Sequence, residues 1–229
     1  MAGRIAYYGN IVRDGLVLNL DAAKRDSYPG SGTVWRDIAG GVITGSLING
    51  PTFDPNNFGS IVFDGVDDSV SCGNVLFNDV NATTISIWVN IQSFNNGNTI
   101  ISKGAQGEGS NTTFAAWIIN SNGIRNRFYN STGTEGIVNT GILSQNVWYN
   151  IIWTYNGSTI TVYTNGIVGE TASLSGPLKT NTNSINIASS IFGNNANMRC
   201  SNVQIYNRAL SPQEITQNYN AQKGRYGIQ

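Results

Sequence analysis

Three aspartates, Asp64, Asp67 and Asp68, crowd into five positions of the chain. Carboxylate oxygens packed this closely are hard ligands of the kind Ca²⁺ takes, about six to eight at a time. They also suit an Asp-Gly turn, in which Asp64 accepts backbone N–H groups and Asp67 or Asp68 caps the next strand without any ion. The residues favour the structural turn, with a Ca²⁺ site as the alternative. Three carboxylates so close repel one another and call for a cation or an arginine, and Arg36 and Arg199 are the arginines on offer in the sequence. Histidine is absent, which removes Ser/His and Cys/His nucleophile pairs and imidazole metal ligands together. The glutamates are Glu108, Glu135, Glu170 and Glu214, each more than twenty residues from the next. Glycoside hydrolysis needs two facing carboxyl groups, about 5 Å apart for retention or about 6.5–9.5 Å for inversion. No close pair of glutamates meets that need, so a non-catalytic protein is expected.

Aromatic side chains are the other candidates. Sugars stack on exposed indole and phenol rings while their hydroxyls meet Asn and Asp. Trp35, Trp117 and Tyr129, together with Tyr28, fall in or beside loop-rich segments; the residues favour plain packing, with a ligand-binding role for Trp35, Trp117 and Tyr129 as the alternative. Trp88, Trp148 and Trp153 sit in alternating segments and are expected in the core. Residues 1–14 have no clean period and read as an arm. The arm either covers a sheet edge of its own domain or docks on a neighbouring subunit, where Arg4, Tyr7, Tyr8 and Arg13 are the candidate contacts. Cys72 and Cys200 form no CxxC pair. They are either neighbours in a sheet that could pair or, as the absence of an export signal favours, two small buried apolar residues. Asn81, Asn111, Asn130 and Asn156 each open an N-x-Ser/Thr sequon, read as chance products of an Asn- and Thr-rich chain.

The elements that must position these residues follow from length and pattern. A chain of 229 residues suits one large β domain, able to remove roughly three-quarters of its unfolded surface from water. Thirteen Lys and Arg balance thirteen Asp and Glu with no basic run, which argues against nucleic acid as a partner. No stretch approaches the roughly 18 apolar residues of a membrane span, and residues 1–10 lack a signal-peptide core, so a soluble chain without an export signal is expected. With 32 Asn, its surface is wetted by neutral amides more than by ions.

Segments of period two, separated by Asn, Gly and Ser clusters, recur along almost the whole length, the pattern of an antiparallel sandwich or jelly roll. Leu16, Leu18 and Leu20 alternate with Val17, Asn19 and Asp21. Ile85, Ile87, Val89 and Ile91 alternate with Ser86, Trp88 and Asn90. Asn122-Gly123, Asn156-Gly157 and Asn165-Gly166 read as hairpin turns, because Asn and Gly tolerate positive φ. Only the end reads as helix: Ser211 caps, Pro212 fits the first position and Glu214 completes a capping box. Ile215 and Tyr219, four apart, are then expected to pack on one edge of the sandwich. The division is an arm, residues 1–14, and one domain, residues 15–229.

Residues 61–70 (Ile-Val-Phe-Asp-Gly-Val-Asp-Asp-Ser-Val) resemble the strand-turn-strand of LamG-like, concanavalin A-like jelly rolls. Residues 84–89, 100–104 and 147–166 are similar to the elements that follow in that family, and 203–215 resemble its closing strand and helix. The resemblance spans roughly residues 15–222. It implies an all-β fold of two antiparallel sheets with one short C-terminal helix. It further implies an ion pair between Arg208 and an acidic residue of an early strand, with ligand contact as the alternative. The Glu-x-Asp-x-x-Glu pattern of the family's glucanases is missing. Residues 14–21, 27–35 and 220–227 look like LamG-like modules in structural proteins of tailed bacteriophages. That narrower likeness implies a non-catalytic virion protein of the head, tail or fibre, assembled in the host cytoplasm. It would be a homo-oligomer acting through contacts with other virion proteins. The alternative is a lectin-like module that recognises cell-surface glycans, with Ca²⁺ as a conditional cofactor and no other.

Overall fold

Alternating aliphatic and polar residues need two buried surfaces to face each other, and the chain supplies them as two stacked sheets. The computed structural model describes residues 10–40, 43–74, 81–104 and 111–229. Its strands are β1 (Leu16–Asp21), β2 (Val34–Arg36), β3 (Thr44–Ile48), β4 (Thr52–Asp54), β5 (Ser60–Asp64), β6 (Ser69–Ser71), β7 (Thr83–Ile91) and β8 (Thr99–Lys103). They continue with β9 (Phe114–Ile119), β10 (Gly123–Tyr129), β11 (Glu135–Asn139), β12 (Trp148–Tyr155), β13 (Thr159–Thr164), β14 (Ile167–Ser173), β15 (Ile185–Ile187) and β16 (Asn197–Tyr206). Helix α1 (Pro212–Gln222) and a 3₁₀ turn (Lys223–Tyr226) close the chain.

The first sheet runs β14-β13-β12-β7-β16-β5-β4 and the second β11-β10-β9-β8-β15-β6-β3-β2. Every strand pairing within them is antiparallel. Strand β16 organises the first sheet. Along one side it pairs with β7; along the other its first half pairs with β5 and its second half with β1, the change falling at an irregularity between Cys200 and Asn202. The core between the sheets holds Leu18, Leu20, Phe63, Ile85, Ile87, Val89, Phe114, Phe128 and Trp153, all fully buried. Cys72 and Cys200 lie in it as free thiols. Burial pushes the Cys72 thiol up to about 12 and the Cys200 thiol higher still, so both behave as small apolar residues.

The three Asn-Gly sites use three different chemistries. At Asn165-Gly166 both residues have positive φ, as a two-residue turn between β13 and β14 requires. At Asn156-Gly157 only the glycine does, and the Asn156 side chain accepts the backbone N–H of Ser158 and Thr159. At Asn122 the asparagine alone is left-handed, closing a longer loop onto Ile119.

Helix α1 begins as expected, with both halves of the Ser211/Glu214 capping box formed and Pro212 in the first turn. It packs on the outer face of the first sheet, and this corrects the expectation of an edge. Ile215 joins Val12, Ile152, Tyr163, Tyr206 and Leu210 there. Tyr226 and Tyr219 stack on Trp88, with ring centroids 4.1 and 5.8 Å away, and Trp148 lies against Tyr226 at 4.8 Å. Trp88 and Trp148 are therefore buried, but outside the inter-sheet core, which holds Trp153 alone of the three. Arg208 grips Glu214 through two bonds of 2.6 and 2.9 Å and reaches Asp14, just ahead of β1, at 2.9 Å. The guanidinium, more than any other group, holds the Glu214 carboxyl down at about 2. The described part of the arm is tied to its own domain: Val12 N–H donates to Asn218 Oδ1 and its carbonyl accepts from the Tyr206 hydroxyl. Arg4, Tyr7 and Tyr8 lie outside the described residues. No helix among the described residues is long and apolar enough to cross a membrane.

Candidate functional site

Strand β5 belongs to the first sheet and β6 to the second, so the turn between them crosses from layer to layer at the rim. That turn carries Asp64, Asp67 and Asp68. Its glycine is required: Gly65 has φ +82°, and a Cβ there would come within 2.7 Å of the Asn197 Cβ. Asp64 Oδ1 accepts the Val66 N–H at 2.8 Å, and Asp68 Oδ2 accepts the Asp64 N–H at 3.0 Å. Two asparagines pin the backbone from outside, Asn195 on the Asp68 carbonyl and Asn49 on the Asp67 carbonyl. The turn role read for Asp64 is present, whereas Asp68 closes back on Asp64 at the end of β5, not on the strand that follows.

The same geometry also suits an ion. One oxygen from each carboxylate lies within 4.8 Å of the others. Ca²⁺ holds oxygens at about 2.3–2.6 Å, so two ligands of one ion stand at most about 4.6–5.2 Å apart. The donor set fits. Asp64 and Asp67 are exposed, Asp68 is buried, and Val66 between them is 76% exposed. Burial, the largest influence, raises the Asp68 carboxyl; the Asp64 N–H opposes this, and the charges of Asp64 and Asp67 add to it. Arg199 pairs with Asp54 at 3.4 Å, and Arg36 stands on β2, two strands from β6. Neither arginine forms an ion pair with the cluster.

The aromatic candidates take up packing positions. Trp35 is fully buried in the inter-sheet core because β2, short as it is, turns that ring inward opposite Gly45. Tyr28 is buried in the same cluster, its hydroxyl donating to the Gly32 carbonyl. Trp117 and Tyr129 lie on neighbouring strands, β9 and β10, and both are more than nine-tenths buried. The Arg127 guanidinium lies 5.3 Å from the Trp117 ring and 6.0 Å from the Tyr129 ring, donates to the Tyr129 hydroxyl and pairs with Glu135 at 3.2 Å. None of these rings presents an open face to a sugar.

Sequence reasoning missed two clefts. One, of about 220 Å³, is walled by Tyr28, Pro29, Phe53, Pro55 and Phe58. Phe58 is 71% exposed and held at φ +69°, a conformation a bulky side chain rarely adopts. The run Pro55-Asn56-Asn57-Phe58-Gly59 was the available signal, a turn cluster with one apolar residue in it. The other cleft, of about 310 Å³, lies between β1 and the end of α1 and includes Arg13, Asp21, Lys24 and Arg225. Its residues are scattered over the whole chain, so no local motif announces it.

A family model described as the concanavalin A-like lectin/glucanases superfamily matches residues 64–216. Among solved structures, the receptor binding domain of the botulinum neurotoxin C/D mosaic serotype superposes with a TM-score of 0.72 at 18% identity, over 92% of this chain and 52% of that one. The binding domain of Paraclostridial mosquitocidal protein 1 gives 0.70 at 18% identity, over 91% and 52%. Trypanosoma rangeli sialidase gives 0.66 at 19% identity, over 92% and 33%. The chain thus spans about half the length of the toxin domains and a third of the sialidase. At these identities the likeness is one of fold. No curated protein sequence matches the chain.

Proposed function

The chain belongs to the concanavalin A-like lectin/glucanase superfamily, and from that premise we propose that it is a non-catalytic module that binds cell-surface glycans with Ca²⁺ held at the rim by Asp64, Asp67 and Asp68. The observation that carries this reading is the convergence of three carboxylates within one ion's reach at a solvent-facing turn of a lectin fold. Bound there, Ca²⁺ would supply open coordination positions for sugar hydroxyls. The chain's own part is to hold the carboxylates still, through the Asp64 and Val66 N–H groups and the two asparagines on the turn backbone. The described glutamates support the non-catalytic side of the reading. Glu135 and Glu214 are tied to arginines, and Glu170 accepts the Asn139 N–H. The receptor-binding domains among the similar structures are in keeping with a binding role.

The test is glycan-array binding by the purified chain with Ca²⁺ and with chelator, beside Asp67→Asn. Binding should appear with Ca²⁺, vanish with chelator and fall at least tenfold in the variant. Because Asp67 is exposed, the variant should fold normally. Binding that persists unchanged in chelator, or no binding to any array, sinks the reading.

A second reading, a virion subunit on the outside of a phage particle, is favoured by strand β14. It forms an edge of the first sheet, with Ile167 72% and Val168 60% exposed, and free edges of that kind invite pairing with another chain. Replacing both residues with Lys should exclude the protein from assembled particles while leaving its unfolding transition in place. Incorporation at the normal level would end that reading.

A further inference from the structure

The larger cleft has a charge pattern that the fold does not need. Arg13, Lys24 and Arg225 line it against one acid, Asp21, and the rest of its polar lining is neutral amide, Asn10, Asn19 and Gln222. Asp21 is buried and spoken for: its Oδ1 accepts the Arg225 Nη1 at 2.8 Å and the Ala23 N–H at 3.0 Å. The nearby Asp37 carboxylate accepts the backbone N–H groups of Asn19 and Ala39. Among the described residues, Arg13 and Lys24 have no carboxylate partner within ion-pair distance, and both are exposed. Arg225 is thus fixed in place by one arm of its fork, with two further cations beside it. A planar fork held in this way is what binds a carboxylate with little loss of freedom.

The floor adds an independent sign. Asn19 pairs in register with Gln204 on the same face of the sheet. Gln204 is buried, and neither of its amide atoms has a hydrogen-bond partner. Buried amides normally find partners, so the residue beside the cleft's Asn19 has unused bonding capacity.

We propose that this cleft binds a single acidic sugar unit, a pyranose bearing one carboxylate. The cations would meet the carboxylate, and Asn10, Asn19 and Gln222 would meet the hydroxyls. A volume of about 310 Å³ is at the low end for ligand sites, which run from about 300 to 1,000 Å³, and so suits one ring better than a chain of them. The site shares with the proposed function only that its ligand is a sugar, and it uses none of the rim aspartates.

Glucuronate and glucose differ by this carboxylate alone, so titration calorimetry with each, in chelator and at low salt, isolates its contribution. Glucuronate should bind saturably, glucose about tenfold or more weaker, and added salt should weaken the first far more than the second. The double variant R13Q/K24Q changes two exposed side chains and should lose glucuronate binding about tenfold with an unchanged melting temperature. Asp67→Asn should bind glucuronate as the parent does, which separates this site from the rim. Equal affinity for glucose, undiminished binding by R13Q/K24Q, or no heat with glucuronate would overturn the proposal. Inorganic sulfate binding as tightly as glucuronate would reduce the site to an anion hole and overturn its sugar specificity.

Discussion

Trp35→Ala should cost the protein about 3–5 kcal/mol of stability, the range for truncating a large buried aromatic. At roughly 2–4 °C per kcal/mol for a domain of this size, the melting midpoint should fall by about 6–20 °C. The reason is position. The Trp35 ring is fully buried, in one cluster with Leu20, Leu47 and Val70, and the short strand that carries it sits at the edge of the second sheet, paired with β3 and tied through Arg36 to Ser27. Few neighbours can collapse into the space an indole leaves, because Gly45 opposite has no side chain to move; the Val70 Cγ1 is already 2.7 Å from where a Cβ there would stand. Native domains have about 5–15 kcal/mol to lose, so the variant keeps a folded population at low temperature. Measured on that population, sugar binding should equal that of the parent. Denaturant unfolding and glycan titration of the same sample read the two effects apart. A variant with the parent's stability and no ligand affinity would return Trp35 to the binding surface.

The ambiguity that kept Trp35 among the candidate ligand residues beside its packing role has a physical origin. Gly30, Gly32 and Pro29 surround it with turn chemistry, and a three-residue strand is too short for its period to stand out. Longer elements were legible: the alternation of Leu18 and Leu20 and of Ile85, Ile87, Val89 and Ile91 marks the inward face of β1 and β7, while Leu16, expected in the same alternation, lies beyond an irregularity in β1 and packs on the outer face beside the helix cluster. The start of α1 was legible because capping is local. What α1 lies on was not. Strand β7 is buried along all nine of its residues, since the helix covers the face that a two-sheet picture leaves to water. Trp88 alternates out of the inter-sheet core and is buried anyway by Tyr219 and Tyr226, more than a hundred positions away. Of the candidate sites, the acidic turn was legible because its three carboxylates lie within five positions. The cationic cleft was not, because residues 13, 24 and 225 meet only once β1 and the chain's end share a sheet face.

Lys103 sets the second large effect, and it is a pH dependence. Its side chain points into the sandwich from the end of β8, fully buried, and the ammonium donates to Asn74 Oδ1 and the Asn183 carbonyl, each at 2.6 Å. Both partners are neutral. Burial therefore lowers the ammonium from its ordinary 10.5 to about 8. The sign follows from proton counts. Between about pH 8 and pH 10.5 the unfolded chain keeps this proton while the folded chain gives it up, so this group's contribution to stability rises with pH across that window. Below pH 8 both states carry the proton, and the cost of burying the charge is constant and fully felt. A shift of this size corresponds to about 3 kcal/mol across the whole window. Lys103→Met removes the titrating group and keeps most of the length and apolar volume. The difference in unfolding free energy, parent minus variant, should then be flat from pH 6 to 7.5 and climb by about 2–3 kcal/mol by pH 10. Taking the difference cancels the tyrosines, which titrate in both proteins. A difference that stays flat through pH 10 would mean that the ammonium keeps its charge at no cost, with a negative partner nearby. A difference that falls with pH would mean that the folded state holds the proton more tightly than the unfolded chain does.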